Sequence, residues 1–558
     1  MVKVALAQIN PTIGDFTGNT EKILSFASRA AKQGAELVVF PELAVCGYPP
    51  ADLLEKDAFL VRTQLAVDEI ALWTAEKGRP AVLVGSVMQT GNAVGKHVRN
   101  VAVLLDRGEQ KFVQQKMLLP FYDVFDEQRY FEPAATQSLT EVAGQPLAIT
   151  ICEDAWNDKN FWPRRLYSLD PVDRLMEEWV KLPLVDDDIR IILNISASPY
   201  WTGKPAVRER MLAAIAKRHN AHVVLVNQVG GNDSLIFDGT SIVLSPEGQA
   251  IVRCDAFVED LAVVDLPSNA ALAETQPDEI AEMWEALVLG TRDYVRKCGF
   301  SKVAVGLSGG IDSALVAAIA VEALGAENVI GIGMPTEYSS LGSIGDAKAL
   351  AKNLGIRFEL IPIHDVFAEF QRALDPLFKG TPFGLAEENL QPRIRGTLLM
   401  ALSNKFGALV LTTGNKSEMA VGYCTLYGDM VGALAVIGDV YKTKVYKLSR
   451  YANRSGELIP RNTLEKPPSA ELRPGQLDTD SLPPYDVLDP ILEAYIERYL
   501  SAEEIAEECR IEVDLVRSVL RLVEKSEYKR QQAAPVLKVT QKSFGTGRRF
   551  PIAVKVQV

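Results

Sequence analysis

At 558 residues the chain exceeds the size at which one hydrophobic core stops growing, and with 47% hydrophobic and 23% charged residues it can fill at least two globular domains. Lys+Arg of 59 against Asp+Glu of 72 give a net charge of -13 with no basic patch to offset it, which argues against duplex nucleic acid and anionic membrane as partners. No apolar run approaches the ~18 residues of a membrane span, and the start, MVKVALAQINPTIGDF, lacks the pattern of a secretory leader, so a cytoplasmic protein is expected.

From 1 to 265, β-branched runs alternate with helical stretches. KVALAQI (3–9), ELVVFPE (36–42), AVLVGSV (81–87), VAVLLD (101–106), LAITIC (147–152), IRIILNIS (189–196), HVVLVNQ (222–228) and TSIVLSP (240–246) predict strands. NTEKILSFASRAAKQG (19–34) predicts a helix closed by a glycine. Small, polar and proline residues over 266–278 predict a linker. A second series follows over 279–558: KVAVGLS, NVIGIGMP, RFELIPI and ALVLTTGN predict strands separated by helices, hence a parallel sheet with helices on both faces. From about 485 the chain turns helical and ends in a basic, Gly-containing tail. Six scattered cysteines without a CxxC pair, and only four histidines, support neither a disulfide framework nor structural zinc.

The strongest local pattern is VGLSGGIDSALVAAIAVEALG. A strand runs into Ser308, Gly309 and Gly310, and a long Ala-rich helix starts near Asp312 and Ser313. Two glycines let backbone amides approach an anion, and the helix N-terminus then faces it, so a phosphate fits. A tight turn without ligand is the plain alternative, but Ser-Gly-Gly-x-Asp-Ser adds hydroxyls and a carboxylate. The Gly-Lys-Ser/Thr ending of a Walker A loop is missing, which argues against kinase or GTPase chemistry.

The string resembles the phosphate loop of the pyrophosphatase-loop ATP synthetases. EENLQPRIRGTLLM (387–400), TTGNKSEMAVGYCTLYGD (412–429), IGDVYKTKVYKL (437–448), PPSAELRPGQLDTDSLPPYDVLD (467–489) and EYKRQQAAP (527–535) all resemble NAD synthetase. The resemblance implies adenylation of the nicotinate carboxylate of deamido-NAD by ATP, release of pyrophosphate, and attack of ammonia on the acyl-adenylate. It implies ATP contacts from Gly306, Leu307, Ser308, Gly309, Gly310, Ile311, Asp312, Ser313 and Thr413, and Mg²⁺ ligation by Asp312 and Glu418. Asn389, Glu418 and Lys529 should contact deamido-NAD, with Arg393, Asp429 and Lys442 as weaker candidates. PPSAELRPG reads as a lid over the adenylate. GALAVIGDV (432–440) departs from the family pattern, where a Gly-Gly and a proline are expected.

An ammonia-using synthetase needs only the second half. In the first, VVFPELAVCGY places Glu42 just beyond a strand, VQQKMLLPFYDVFDEQRYF places Lys116 after another, and TICEDAW places Cys152 after a third. Together they resemble the nitrilase/amidase superfamily with its Glu-Lys-Cys triad, which implies a four-layer αββα sandwich followed here by the Rossmann-like parallel α/β domain with its helical extension. A free thiol has a pKa of about 8.5 and needs a base or a positive charge to become a nucleophile. Glu42 would take the thiol proton and return it to the departing amine, Lys116 would stabilise thiolate and oxyanion, and Glu127 would orient Lys116 or substrate. A Cys-His arrangement with His222 as base is the competing reading. By resemblance Tyr122, Ser198 and Lys204 contact glutamine, although Lys204 also reads as an ordinary loop lysine.

The joint resemblance is to glutamine-dependent NAD synthetases, with glutamine, ATP and deamido-NAD as substrates. It implies an ammonia tunnel, coupling between the two sites, and a homo-oligomer. Three rivals compete: another amidotransferase with the same loop, a non-catalytic first half docked on an ammonia-dependent synthetase, and a nucleotide-binding regulator without turnover.

Overall fold

The computed structural model describes residues 2–182, 189–268, 270–273, 278–473 and 475–555. The chain divides into two compact units, Met1–Pro277 and Asp278–Val558. Residues 269 and 274–277 of the expected linker lie outside the described ones; between strand Asp260–Leu266 and helix Glu279–Lys297 the described residues form neither helix nor strand.

The first unit holds two six-stranded sheets. One runs in the order Asp260–Leu266, Val2–Gln8, Leu37–Val39, Ala81–Gln89, Val98–Asp106, Glu109–Gln115; the other runs Ala250–Arg253, Ile242–Leu244, His222–Asn227, Ile191–Ser196, Gln145–Ile151, Thr140–Val142. Period-2 alternation sends each strand's apolar residues to two faces. Val2, Val4, Leu6, Leu37, Val39, Leu147, Ile149, Ile151, Ile191 and Leu193 pack together between the sheets. The opposite faces are covered by helices: Ile23, Phe26, Ala66 and Ile70 of Phe16–Lys32 and Asp57–Trp73 pack on the first sheet, and Leu175, Trp179, Met211 and Ile215 of Pro171–Trp179 and Lys204–His219 on the second. Helix, sheet, sheet, helix is the four-layer sandwich the resemblance implies.

Two predicted strands stop short at the places that matter. ELVVFPE is extended only over Leu37–Val39, and LAITIC stops at Ile151 because Cys152 takes φ +44, a left-handed conformation no strand can continue through. The strand Glu109–Gln115 was not expected; its sequence EQKFVQQ is too polar to stand out, and it forms because it pairs antiparallel with Val98–Asp106 in a hairpin.

In the second unit five parallel strands run in the order Arg357–Leu360, Val329–Gly333, Lys302–Gly306, Ala408–Thr412, Leu434–Ala435. The first strand in sequence, Lys302–Gly306, lies at the centre, and the chain leaves it first to one side and later to the other. The order therefore reverses at the carboxyl end of this strand, the place where open α/β sheets form their ligand crevice. Helices Tyr485–Glu497, Ala502–Cys509 and Val513–Lys525 build a second core from Leu488, Ile491, Ile505, Val516 and Leu520. Among the described residues no helix is long and apolar enough to cross a membrane.

Two candidate active sites

In the first unit, three strand ends bring Glu42, Lys116 and Cys152 together. Strand Ala81–Gln89 passes so close to the Glu42 segment that a Cβ on Gly85 would lie 2.6 Å from the Glu42 Cα, so glycine is required there. Glu42 and Lys116 are fully buried; the Lys116 ammonium donates to Glu42 Oε1 at 2.7 Å and to Glu127 Oε1 at 2.9 Å. Glu42 is fixed further by the Asn100 side-chain amide at 2.7 Å and the Ala197 amide at 3.0 Å. Burial alone would lower the Lys116 pKa, but the charges of Glu127 and Glu42 outweigh it and hold the group protonated well above the usual lysine range. Glu127 also accepts from the Tyr48 hydroxyl at 2.9 Å, and burial pushes its pKa up to about 7. Burial and the charge of Glu42 raise the Cys152 thiol well above its ordinary value while Lys116 pulls it down, so without ligand the thiol keeps its proton.

The turn that presents Cys152 is tied to the turn that presents Lys116. Asp154 Oδ1 accepts from the Met117 and Leu118 amides at 3.0 and 2.8 Å, and its Oδ2 accepts from the Ile151 amide at 3.0 Å. One buried carboxylate thus pins the residue before the thiol and the two after the ammonium. The Asn194 side-chain amide donates to the Cys152 carbonyl at 3.3 Å.

Of the residues expected around the substrate, Tyr122 stands near the thiol with its hydroxyl donating to Glu153 at 2.9 Å. The Ser198 amide donates to Asn227 Oδ1 at 2.9 Å. Lys204, the first residue of helix Lys204–His219, is buried, donates to the Pro199 carbonyl at 2.7 Å, and lies 5.4 Å from the centre of the Trp156 ring, so it ties the helix start to the loop before it. His222 lies at the far end of the sheet from Cys152. In the parallel ladder it pairs with Ile191, whereas Ile151 pairs with Ile195 and Ile195 with Val226. Four residues of strand separate the two ends, about 13 Å, so no Cys-His pair forms. Glu153 and Asp154, the two acids directly behind the cysteine, have no role in the Glu-Lys-Cys pattern read from the sequence.

In the second unit the crevice at the sheet reversal is a cavity of about 300 Å³, lined by Gly306, Leu307, Ser308, Gly310, Ile311, Asp312, Ser313 and Thr413 from the loop and its neighbour strand. Gly309 has φ +79, and a Cβ there would lie 2.2 Å from the Ser343 carbonyl oxygen. The loop is braced internally: the Gly310 amide donates to Ser308 Oγ at 3.2 Å, and Ser313 Oγ donates to the Gly310 carbonyl at 3.0 Å. Glu418, Asp429, Lys442 and residues 467–472 of the expected lid also line the cavity.

Lys442 stands between Asp312 and Glu418, donating to Asp312 Oδ2 and, at 3.2 Å, to Glu418 Oε1. Burial, reinforced by Asp312 and opposed by Lys442, raises the Glu418 carboxyl to about 8. Asn389, Arg393 and Lys529 meet instead at the loop 422–429. Thr425 Oγ1 donates to Asn389 Oδ1 at 2.7 Å, Arg393 Nε donates to the Leu426 carbonyl at 3.2 Å, and Lys529 donates to the Gly422 and Cys424 carbonyls at 2.6 and 2.7 Å. Asp429 accepts the Thr425 amide at 2.7 Å, linking that loop to the cavity. Arg395, which sequence reasoning did not single out, lines the cavity, and burial lowers its pKa to about 10.

The segment 432–440 has a structural use. Asp439 accepts the Val539 and Thr540 amides at 2.8 and 2.7 Å and pairs with Lys416 at 3.0 Å; fully buried Lys416 also donates to Glu497 at 2.8 Å, Thr540 Oγ1 at 2.6 Å and the Lys542 carbonyl at 2.8 Å. Lys416 opens the helix Lys416–Val421 that carries Glu418, so the end of the chain braces the wall of the cavity.

Comparison with known proteins divides the chain the same way. Residues 3–166 and 173–273 match the carbon-nitrogen hydrolase family, and residues 283–533 match NAD synthase. The chain is 52% identical to a glutamine-dependent NAD(+) synthetase of Synechocystis sp., covering 99% of each, and 44% identical to one of Thermotoga maritima, covering 99% of this chain and 98% of that one. Among solved structures it is similar to the Acinetobacter baumannii glutamine-dependent NAD+ synthetase in complex with ADP, at TM-score 0.76 and 41% identity over 99% of this chain and 98% of that one. Its fold also matches a Cytophaga hutchinsonii structure at TM-score 0.82 and 22% identity over 99% of this chain and 97% of that one. With both halves matched in order and relatives aligned from end to end, the chain belongs to the glutamine-dependent NAD(+) synthetases.

Proposed function

We propose that the chain makes NAD from deamido-NAD, using ATP and the amide nitrogen of glutamine, and releases glutamate, AMP and pyrophosphate. The observation that carries this reading is that a complete Glu-Lys-Cys group and a complete phosphate loop occur on one chain that aligns with this family over its whole length. A non-catalytic first half would have no need of a buried ammonium held between two carboxylates beside a thiol.

In the first unit Glu42 takes the Cys152 proton as Sγ attacks the amide carbon of glutamine. The developing oxyanion is stabilised by charge, for which the Lys116 ammonium is the available group. Collapse expels ammonia with the proton returned by Glu42, leaving a thioester. Water activated by the same carboxylate then releases glutamate. The raised thiol pKa of the ligand-free site means that the proton moves only when substrate supplies an acceptor for the negative charge.

In the second unit the amides and hydroxyls of 306–313 bind the ATP phosphates, and the nicotinate carboxylate displaces pyrophosphate to form the acyl-adenylate. A carboxylate does not react with ammonia until its oxygen becomes a good leaving group. Asp312 and Glu418 fit Mg²⁺: both carboxylates line the phosphate cavity and both meet Lys442, and Mg²⁺ takes one or two carboxylates plus phosphate and water. Bound there, Mg²⁺ would neutralise phosphate charge. Lys442, which holds both carboxylates, serves as their counter-ion. Residues 467–472, on the cavity wall, exclude water from the adenylate.

Incubation with deamido-NAD, Mg-ATP and amide-¹⁵N glutamine tests this. Wild type gives labelled NAD together with AMP and pyrophosphate, and Cys152→Ala gives NAD only from added ammonium. NAD from ammonium but never from glutamine in wild type would refute the role given to the first unit; no NAD from either source would refute the acceptor.

A further inference from the structure

Asp312 and Glu418 offer four carboxylate oxygens to the second cavity, and each oxygen has a donor. Lys442 supplies two of them, to Asp312 Oδ2 and, at 3.2 Å, to Glu418 Oε1. Asn415 supplies the other two: its side-chain Nδ2 donates to Asp312 Oδ1 at 2.9 Å, and its backbone amide donates to Glu418 Oε2 at 3.3 Å. The same side chain accepts the Glu418 amide on Oδ1 at 3.0 Å, which caps helix Lys416–Val421. Asn415 is fully buried and is no part of the cavity wall.

The sheet brings these residues together. Strands Lys302–Gly306 and Ala408–Thr412 are parallel neighbours; Asp312 lies in the first turn of the helix that follows one, and Asn415 caps the helix that follows the other. That second helix has six residues, too few internal bonds to hold Glu418 unaided. Asparagine, aspartate and serine cap a helix about equally well, so capping alone does not call for asparagine. Asparagine alone joins an acceptor for the Glu418 amide to a separate donor for Asp312. Aspartate would set a like charge against Asp312, and serine has one polar atom, a bond closer to the backbone, for both tasks. Lys442 meets the carboxylates as a point charge on a flexible stem, whereas a planar amide engaged at both ends sets their directions. We infer that Asn415 is a positioning residue of the synthetase reaction, fixing Asp312 and Glu418 relative to each other so that the pair can receive the divalent cation that accompanies ATP, while itself touching neither nucleotide nor acceptor. The inference rests on the reading of this cavity as the ATP site and deepens it.

The test measures binding of Mn²⁺, a paramagnetic stand-in for Mg²⁺, to the full chain in the presence of α,β-methylene-ATP, which cannot release pyrophosphate, and follows thermal unfolding of the same samples. Asn415→Ser keeps the cap and loses the donor to Asp312; Asn415→Ala loses both. Mn²⁺ affinity falls about 10-fold or more in each variant, the scale of a hydrogen bond to a charged group, while the melting temperature falls further in Asn415→Ala, which alone gives up the cap. In ammonium-supported NAD formation the half-saturating Mg²⁺ concentration rises by the same factor in both, and saturating Mg²⁺ restores most of the rate. Asn415→Ser that binds Mn²⁺ within about threefold of wild type overturns the inference, since Asn415 is then only a cap. A loss of affinity that keeps step with the fall in melting temperature, small in Asn415→Ser and large in Asn415→Ala, also overturns it, because binding then follows the helix. Wild type that holds no Mn²⁺ with the nucleotide refutes the ATP reading of the cavity, and this inference with it.

Discussion

Replacing Asp154 by Asn changes one atom and should separate the two halves of the reaction. In the wild type three amides converge on two oxygens. An asparagine can keep its oxygen toward Met117 and Leu118, but its NH₂ then faces the Ile151 amide, donor against donor. Burial raises the Asp154 carboxyl to about 6, with the three amides and Lys116 opposing, so folding does not favour its charge and a neutral side chain gives up no ionisation energy. What asparagine loses is the partner of one buried amide, worth about 1–3 kcal/mol. In a domain of this size each kcal/mol lowers the melting temperature by about 2–4 °C. The turns that carry Cys152 and Lys116 also lose their common anchor, and a misplacement of about 1 Å at a reacting centre costs on the order of 100-fold. Thermal unfolding should therefore show an earlier transition for Asp154→Asn, glutamine-supported NAD formation should fall about 100-fold, and ammonium-supported formation should persist. A variant with an unshifted melting temperature and glutamine-supported activity within about threefold of wild type would refute the anchoring role.

Burial holds the Glu153 carboxyl at about 7 against the fields of Lys116 and the two tyrosines, so below that pH it carries its proton. A glutamine whose amide reaches Cys152 brings its α-ammonium close to this carboxyl, which favours the ionised form, so KM for glutamine should rise by up to tenfold per unit as pH falls below 7 and level off above about 8; initial rates on wild type and Glu153→Gln check this, the variant lacking that component. Gly309→Ala forces a left-handed backbone on a residue with a side chain, at about 1–2 kcal/mol, and drives a Cβ to 2.2 Å from the Ser343 carbonyl oxygen. Its KM for ATP should rise at least about tenfold, measured by pyrophosphate release, while its fold, followed by circular dichroism, persists. Arg208 and Asp238 form a fully buried, two-point ion pair in the first unit. Arg208→Met leaves the aspartate buried without its partner and should destabilise that unit by about 3–5 kcal/mol in denaturant unfolding.

What the sequence discloses and what it hides follow from the range of the interactions. The central strands are legible because their apolar runs are local, and the phosphate loop because its glycines, hydroxyls and carboxylate are contiguous. The polar strand Glu109–Gln115 is hidden because only its partner makes it a strand. Asp154 is hidden for a similar reason: the two amides it anchors beyond its own turn belong to residues 36 and 37 positions earlier, and nothing in CEDAW points there. Resemblance grouped Asn389, Glu418 and Lys529 by substrate. The structure groups them by location, with Glu418 on the cavity and the other two holding the loop 422–429. Lys442, a weaker candidate by resemblance, stands at the centre of the charged group, because its partners are 130 and 24 residues away in the chain.

The brace that Lys416 makes with Thr540 and Lys542 has a consequence for the order of events on the ribosome. The first unit is made of residues up to 277 and depends on nothing later for its own sheets. The wall of the second cavity, by contrast, is held by contacts that cannot form until Thr540 and Lys542 have emerged. At about 5–20 residues per second, tens of seconds separate the completion of the two. During that interval a nascent chain has its thiol site assembled and no place where ammonia can be consumed. The same brace makes the stretch around 540 a poor place to cut: without Thr540 and Lys542 the Lys416 ammonium would stay buried with two of its acceptors gone, and the nucleotide site would loosen from its far side.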